Sequence, residues 1–487
     1  PHTTTPTTRQ PPPHSTRPAT APAANPPPPP GDTPPNNHTN RPNAISTAAG
    51  TSENLSHDVI DRGGVSAQQL VVVGLCLFFN MLDGFDITAM AVVAGAVSTE
   101  LQLTPDRLGW IFSFALAGMM AGAMFLAPVS DIIGRRKLII FAIALIGISI
   151  LFTATATTLT EFIVLRFISG LGAGAMLASQ AALAAEYSPD KYKAASVAVV
   201  TSGYPLGAMM TSVVAGYILP GEWGWRGMFW FGGLLTLSMV VVAWLFIPES
   251  LKFLFRRRPA DALERINKIL RKLKKEPLDE MPEVLDDQQE HFGFFGGMLR
   301  LLHPDQRKTT LTLWTAFLLT FSTLYFLMSW IPKMMEDAGF DASIGRDAFF
   351  LFNLGGVMGI YLMGWLSTRY KLTNMICYLS VASAAGMVIF ALVPSNLNLL
   401  LGLTLIIGIL QQGGFTGLYG ASAKAYATNI RSTGIGWAIG LGRFGAVVGP
   451  AAAGYLIAAG LDMSANYFIF AVPMAVGGLI AWQLHIR

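Results

Sequence analysis

Beyond about residue 70 the chain is a succession of long apolar runs separated by short polar stretches. The runs fall at 70–95, 108–129, 138–157, 162–185, 194–218 and 227–247, and then at 309–333, 347–367, 373–393, 398–423, 432–457 and 465–485. Each is long enough to cross ~30 Å of hydrocarbon as a helix. No water is available there to satisfy the backbone, so helix is the expected state of every run. The pattern predicts an all-α polytopic membrane protein with six spans in 68–247, a polar loop at 248–308, and six more spans in 309–487. Residues 1–50 have the opposite character. They hold 15 of the 29 prolines, with Thr, Asn and Ala between them. Such a stretch has too little apolar surface to offset its ordering entropy, and 1–67 is expected to be a disordered tail. Within the central loop, Leu263, Ile266, Ile269, Leu270 and Leu273 give the run Asp261–Lys275 one apolar face. It reads as a surface helix under the membrane domain or as a partner-binding segment.

Composition agrees with this pattern. Hydrophobic residues make up 52% of the 487 and charged residues only 13%, where a soluble domain carries about a quarter. A soluble enzyme and a disulfide scaffold are thereby excluded. Lys and Arg are distributed by side: with the N-terminus inside, 27 fall in inner segments and 4 in outer loops, which predicts that both termini are cytoplasmic in a plasma (inner) membrane. The net charge of +4 forms no basic patch on a soluble domain, so no nucleic-acid partner is expected. Cys76 and Cys377 lie about 300 residues apart in apolar runs, with no metal-ligand spacing, so neither metal nor cofactor is expected. Gly440-x-Gly442-x-x-Gly445 spells a dinucleotide fingerprint, but it lies inside a span and follows no strand, so it reads as helix packing. The lipid bilayer is the expected surrounding, and the sequence leaves the oligomeric state open.

Four charged residues lie well inside apolar runs: Asp83, Asp86, Arg166 and Arg443. Charges at that depth are costly, about 2.5–3.5 kcal/mol or more, and usually face one another or a cavity. Asn80, Asp83 and Asp86 fall at i, i+3 and i+6, one polar stripe spanning ~120° of the first span. Counting 1.5 Å per residue, Asp83 lies ~20 Å from the inner start of its helix and Arg443 ~16 Å from the inner end of its own. Arg166 starts only ~6 Å from the outer surface, but its side chain has the length to reach Asp86. A carboxylate near an arginine in a low-dielectric site can change protonation state, while the arginine can hold an organic anion. The expected partners are therefore a small organic anion and protons. Tyr204, Tyr325 and Phe415 lie near the same depth, as do Phe79, Phe85 and Phe444. Gln411 and Gln412 stand beside them as hydrogen-bonding groups.

The chain also repeats itself. Ala127-x3-Asp131 matches Gly364-x3-Thr368, Ala215-Gly-Tyr-Ile matches Ala453-Gly-Tyr-Leu, and Tyr187 matches Tyr426, at offsets of 237, 238 and 239. Duplicated halves in the same orientation are the architecture of the major facilitator fold. The stretch Ala127-Pro-Val-Ser-Asp131-Ile-Ile-Gly134-Arg135-Arg136-Lys137 resembles the loop 2–3 signature of that superfamily. Gly203-Tyr-Pro205-x-Gly207 and Pro248-Glu249-Ser250 fit it too. Leu82-Asp83-Gly84-Phe85-Asp86, Arg166-x3-Gly170-x-Gly172-x-Gly174, Ala185-Glu186-Tyr187-x-Pro189 and Arg431-Ser-Thr-Gly434-Ile-Gly436-Trp437 resemble the aromatic acid:proton symporter family. That resemblance implies transport acids at Asp83 and Asp86, essential charges at Arg166 and Arg443, and a cytoplasmic gate of Asp131, Arg135 and Arg136 with Glu186 and Arg431. Thr368 departs from it, standing where an Asp is usual. The reading is a proton-coupled importer of benzoate-type acids. A proton-driven exporter on the same fold and a transport-inactive membrane sensor are the alternatives.

Overall fold

The structure, a computed structural model, describes residues 52–61, 65–282, 294–393, 396–426 and 430–484. Among these, twelve helices are long and apolar enough to cross a membrane. Short α1 (Ser52–Asp61) precedes the first six, which are α2 (Ala67–Glu100), α3 (Pro105–Ala121) continued by α4 (Ser130–Ile133), α5 (Arg135–Thr153), α6 (Leu159–Glu186), α7 (Asp190–Ile218) and α8 (Gly224–Phe246). Short α9 (Leu251–Arg257), α10 (Ala262–Lys272) and α11 (Phe294–Leu301) follow. The second six are α12 (Pro304–Asp337), α13 (Ala342–Leu366), α14 (Leu372–Leu392), α15 (Leu397–Ala425), α16 (Arg431–Ala458) and α17 (Met463–Trp482). Every predicted run coincides with one of these helices, to within about five residues at either end.

Local chemistry sets the ends. The Ser66 hydroxyl accepts the Gln69 N–H at 3.3 Å while the Gln69 carbonyl oxygen accepts the Ser66 N–H at 2.8 Å, a reciprocal cap that starts α2. Thr158 and Glu161 do the same for α6. Between α3 and α4 the chain passes through a wide turn at Gly122–Leu126 and a tight one at Ala127–Val129. Pro128, which has no N–H to give the helical ladder, sits in the tight turn.

The repeat is visible in the packing. In the first six, α2 packs on α7, α3 on α6 and α5 on α8. In the second six, α12 packs on α16, α13 on α15 and α14 on α17, the same pairing in the same order. Tyr187 and Tyr426 each cap the C-terminus of the corresponding helix, α6 and α15, and both are buried. The halves meet where α3 lies on α16, α7 on α13 and α2 on α12.

One expectation for the polar segments changes, and one pair of alternatives is narrowed. The predicted tail of 1–67 ends in an ordered helix: in α1, Leu55, Val59 and Ile60 are buried. Their spacing puts them on one face, and the segment contains no proline, unlike the stretch before it. Residues 1–51 lie outside the described residues. In the central loop, Ala262, Ile266, Leu270 and Leu273 are buried, and α10 packs on α9, so its apolar face is used within the protein.

Where α3 begins and α16 ends, the halves close tightly. The Ser113 hydroxyl donates to the Val447 carbonyl across the halves at 2.6 Å, while within the second half the Trp330 indole of α12 donates to the Pro450 carbonyl of α16 at 3.0 Å. The Trp110 indole donates to the Tyr455 hydroxyl at 3.0 Å. Gly109 and Gly454 face each other so closely that a Cβ on Gly109 would come within 2.9 Å of the Pro450 carbonyl oxygen, and one on Gly454 within 2.6 Å of that of Pro105. Gly454→Leu is therefore expected to part α3 from α16. In a background lacking Cys76 and Cys377, a cysteine placed at Ala451 should then react with a membrane-impermeant maleimide at least about fivefold faster. Unchanged labelling would show that this contact does not close the path.

Candidate functional site

The stripe on α2 is fully buried, as its spacing predicts: Asn80, Asp83 and Asp86 all face the protein interior. The Asn80 amide donates to the Val200 carbonyl on α7 at 2.6 Å. Arg166, on α6, reaches Asp86, with its Nη1 3.0 Å from Asp86 Oδ1 and 3.1 Å from the Asp86 carbonyl oxygen. Its guanidinium also lies 5.2 Å from the centroid of the Phe229 ring. A buried pair of this kind adds little net stability, because desolvation offsets the attraction. Removing one partner from such a pair, however, typically costs about 3–5 kcal/mol through the charge left behind.

Asp83, unlike Asp86, has no ion-pair partner among the described residues. Neither of its carboxylate oxygens has a hydrogen-bond partner, although the residue is fully buried. The charges acting on it are Asp86, one turn away, and Arg443 on α16, with which it forms no ion pair. Arg443 is buried too, and its Nε has no hydrogen-bond partner. The Tyr204 and Tyr325 hydroxyls, one from each half, face each other within the fields of both Asp83 and Arg443. The centre of the molecule thus holds a carboxylate and a guanidinium close enough to act on each other, yet not joined.

An aromatic wall borders Arg443 on the side of the second half. On α12, Phe317, Phe321 and Tyr325 follow at i, i+4 and i+8, and on α15, Phe415 and Tyr419 at i and i+4. Phe321 stacks on Tyr325 at 5.9 Å and meets Phe415 edge-on at 4.7 Å, and Phe415 meets Tyr419 edge-on at 5.3 Å. Gly442 makes room for this wall, since a Cβ there would come within 2.7 Å of Phe317 and 2.8 Å of Phe321. Gly445 likewise lies against the Leu318 carbonyl. The glycines of the dinucleotide-like pattern are thus used to bring α16 onto α12. Tyr419 and Phe321 were not singled out as candidates from the sequence. Their signal was the matched i, i+4 aromatic spacing on two helices, visible only once the helices are known to face each other.

The remaining candidates separate. Gln411 is fully buried and bonded on both sides, accepting from the Ser383 hydroxyl at 3.2 Å and donating to the Thr320 carbonyl at 3.5 Å, so it ties α14, α15 and α12 together. Gln412 faces α13 near Gly356, and its carbonyl oxygen is buried without a partner. Phe444, next to Arg443 in sequence, points outward with 53% of its surface exposed. Phe85 packs against Phe231 of α8 at 5.9 Å, and Phe79 is buried.

At the opposite end from the α3–α16 closure, Arg135 pairs with Glu186 at 3.0 Å, and the Ser250 hydroxyl donates to the other Glu186 oxygen at 2.6 Å. The Arg136 N–H donates to Glu249 at 3.1 Å while its guanidinium bonds the Trp244 carbonyl. The Asp131 carboxylate is on an exposed residue, and its backbone carbonyl accepts from Arg257 Nε at 3.2 Å. Arg431 opens α16 on the surface. Tyr187 donates to the Glu249 carbonyl at 2.6 Å, and burial holds its hydroxyl well above the usual tyrosine range, so it stays a donor. Sequence reasoning placed Arg135 and Glu186 together but quoted Glu249 and Ser250 only as a motif, without their contacts: Glu249 accepts the Arg136 backbone N–H and Ser250 holds Glu186.

Twelve spanning helices in two similarly packed sixes, closed at one end around central buried charges, define a multi-pass membrane transporter. The comparisons agree. The sequence profile of the Major Facilitator Superfamily matches residues 74–393 and 313–486, and the chain belongs to that superfamily. It is 31% identical to the 4-hydroxybenzoate transporter PcaK of Pseudomonas putida, over 86% of this chain and 92% of that protein. It is 29% identical to the benzoate transport protein of Acinetobacter baylyi, over 88% of this chain and 92% of that one. Among solved structures, a D-xylose-proton symporter superposes with a TM-score of 0.66 at 15% identity, over 85% of this chain and 97% of that one. That likeness concerns the fold.

Proposed function

We propose that the protein is a proton-coupled symporter that imports aromatic carboxylates of the benzoate and hydroxybenzoate class by alternating access. In this reading both termini are cytoplasmic in the plasma membrane, and the α3–α16 closure is on the outer side. The observation that carries it is Asp83, a fully buried carboxylate without a hydrogen bond, beside a buried Arg443 that has its own unmet donor. A substrate carboxylate can take Arg443 in a charge-assisted bond, with its ring against Phe321 and Phe415. Once Arg443 is neutralised by the substrate, its field no longer favours the charged form of Asp83, and a proton on Asp83 becomes the cheaper state. Substrate and proton then occupy the centre together, and rocking of the halves carries both across. Asp86, held by Arg166, is a second acid whose protonation would free that pair. Tyr204, Tyr325, Asn80, Gln412 and Phe415 border the anion. Arg135, Arg136, Asp131, Glu186 and Arg431 form the inner gate. The names of the relatives support the aromatic class.

The test is uptake of radiolabelled 4-hydroxybenzoate by proteoliposomes under an imposed pH gradient. Accumulation in an alkaline lumen, abolished by a protonophore, is the expected result. Net efflux driven by the same gradient would favour an exporter, and binding without flux a sensor.

A further inference from the structure

The short helix α1 lies on a surface built for it. Leu55, Val59 and Ile60 are buried, and α1 packs on α9 and on α6. Its last residue, Asp61, accepts the N–H of Asp190 at 2.8 Å across 129 residues of sequence. That N–H belongs to the first turn of α7, whose cap position is Pro189 and makes no side-chain cap bond. Open N–H groups at a helix start are commonly met by a Ser, Thr, Asp or Asn at the cap, and here the carboxylate comes from a distant segment. It also places negative charge at the positive end of α7. The other end of the match is complementary. The Ile60 carbonyl, at the negative end of α1, accepts the Lys275 ammonium at 2.7 Å, just past α10. The surface continues to the inner gate, because α9 carries Arg257, which bonds the Asp131 carbonyl.

We propose that the α6–α7 turn, α9 and the end of α10 form a docking surface for the chain's own segment Ser52–Asp61, and that reversible release of this segment regulates transport by freeing the first turn of α7. The route to the site runs along α7, about 15–21 Å from Asp190 at 1.5 Å per residue. The same helix carries Tyr204, and its Val200 carbonyl holds Asn80. Looseness at the start of α7 therefore acts on two groups at the centre. The anchors lie on the first half and the central helices, so the segment sets how α7 is held and does not clamp the two halves together.

The experiment compares the full chain, a form lacking residues 1–51, a form lacking 1–61, and Asp61→Ala, all in nanodiscs and proteoliposomes. Asp61→Ala removes the acceptor of the Asp190 N–H, keeps the apolar face and separates loss of the anchor from misfolding. Amide exchange in the first turn of α7 is expected to match the full chain in the 1–51 deletion. It should be about fivefold faster in the other two, the size expected for a lost helix cap. A synthetic C-terminally amidated peptide of residues 52–61 added to the 1–61 deletion should slow exchange again, and the same peptide with alanine at its last position should not. Uptake turnover should change at least about twofold. Unchanged exchange in the 1–61 deletion would overturn the docking surface, whatever the substrate proves to be. Faster exchange with unchanged turnover would overturn the regulatory role and leave α1 as a structural cap.

Discussion

Asp83→Asn is expected to abolish concentrative uptake while leaving binding and exchange largely intact. The substitution keeps the size of the side chain and removes its titration. Asp83 has no hydrogen-bond partner in the interior, so an amide there breaks no existing bond and folding should be little affected. The loss falls on coupling. A one-proton symporter can hold at most about a tenfold substrate gradient per pH unit, because one pH unit is worth about 1.36 kcal/mol. Without a group that takes up and releases that proton, the internal concentration should rise only to the external one. The measurement is the steady-state ratio of labelled 4-hydroxybenzoate across proteoliposomes under a fixed pH gradient, with counterflow as the control for intact binding. Accumulation equal to that of the parent would remove Asp83 from the proton path. Asp86→Asn should behave differently, because it also leaves Arg166 buried without its ion-pair partner, and lower expression is expected alongside lost transport.

Arg443→Ala should weaken binding of benzoate by about 10- to 100-fold and change binding of benzamide only slightly. A charge-assisted hydrogen bond contributes about 1.5–3 kcal/mol, which sets the range. The neutral amide has the same ring and size, so it reports on the aromatic wall without the charge. Arg443→Lys is expected to recover only part of the affinity, since a lysine supplies the charge but not the planar fork that fits a carboxylate. Competition of each compound against labelled substrate gives the comparison. Equal losses for acid and amide would mean that Arg443 shapes the site and does not bind the carboxylate.

Much of this was legible from residue order. Spans appear as apolar runs because a bilayer leaves a helix no other place to satisfy its backbone. The four central charges stood out because such residues are costly at that depth. The reach of Arg166 to Asp86 followed from side-chain length and helix rise. Other features were not legible. Gln411 and Gln412 are adjacent and chemically identical, yet one ties three helices and the other lies by Gly356 with an unmet oxygen. Arg443 and Phe444 are neighbours too, one buried and one facing outward. Depth along a helix can be counted from sequence, but which side faces the partner depends on the packing of other helices. The N-terminal segment fails for another reason. Residues 1–50 lie outside the described residues, and α1 is held by contacts from residues far along the chain.

The repeated tripeptide Ala-Gly-Tyr shows the division most plainly. At Ala453-Gly454-Tyr455 it lies against α3, with the Tyr455 hydroxyl bonded to Trp110. At Ala215-Gly216-Tyr217 the glycine meets nothing within 4 Å, and the tyrosine is 84% exposed. By itself the sequence determined the membrane, the twelve helices and the charges buried within them, which follow from the cost of polar groups in hydrocarbon, and the duplicated halves, which follow from repeated motifs. Only the tertiary structure decided which copy of a repeated motif packs between the halves, which acid is ion-paired and which is not. Those outcomes depend on how two halves of similar sequence lean against each other, and no local preference encodes that.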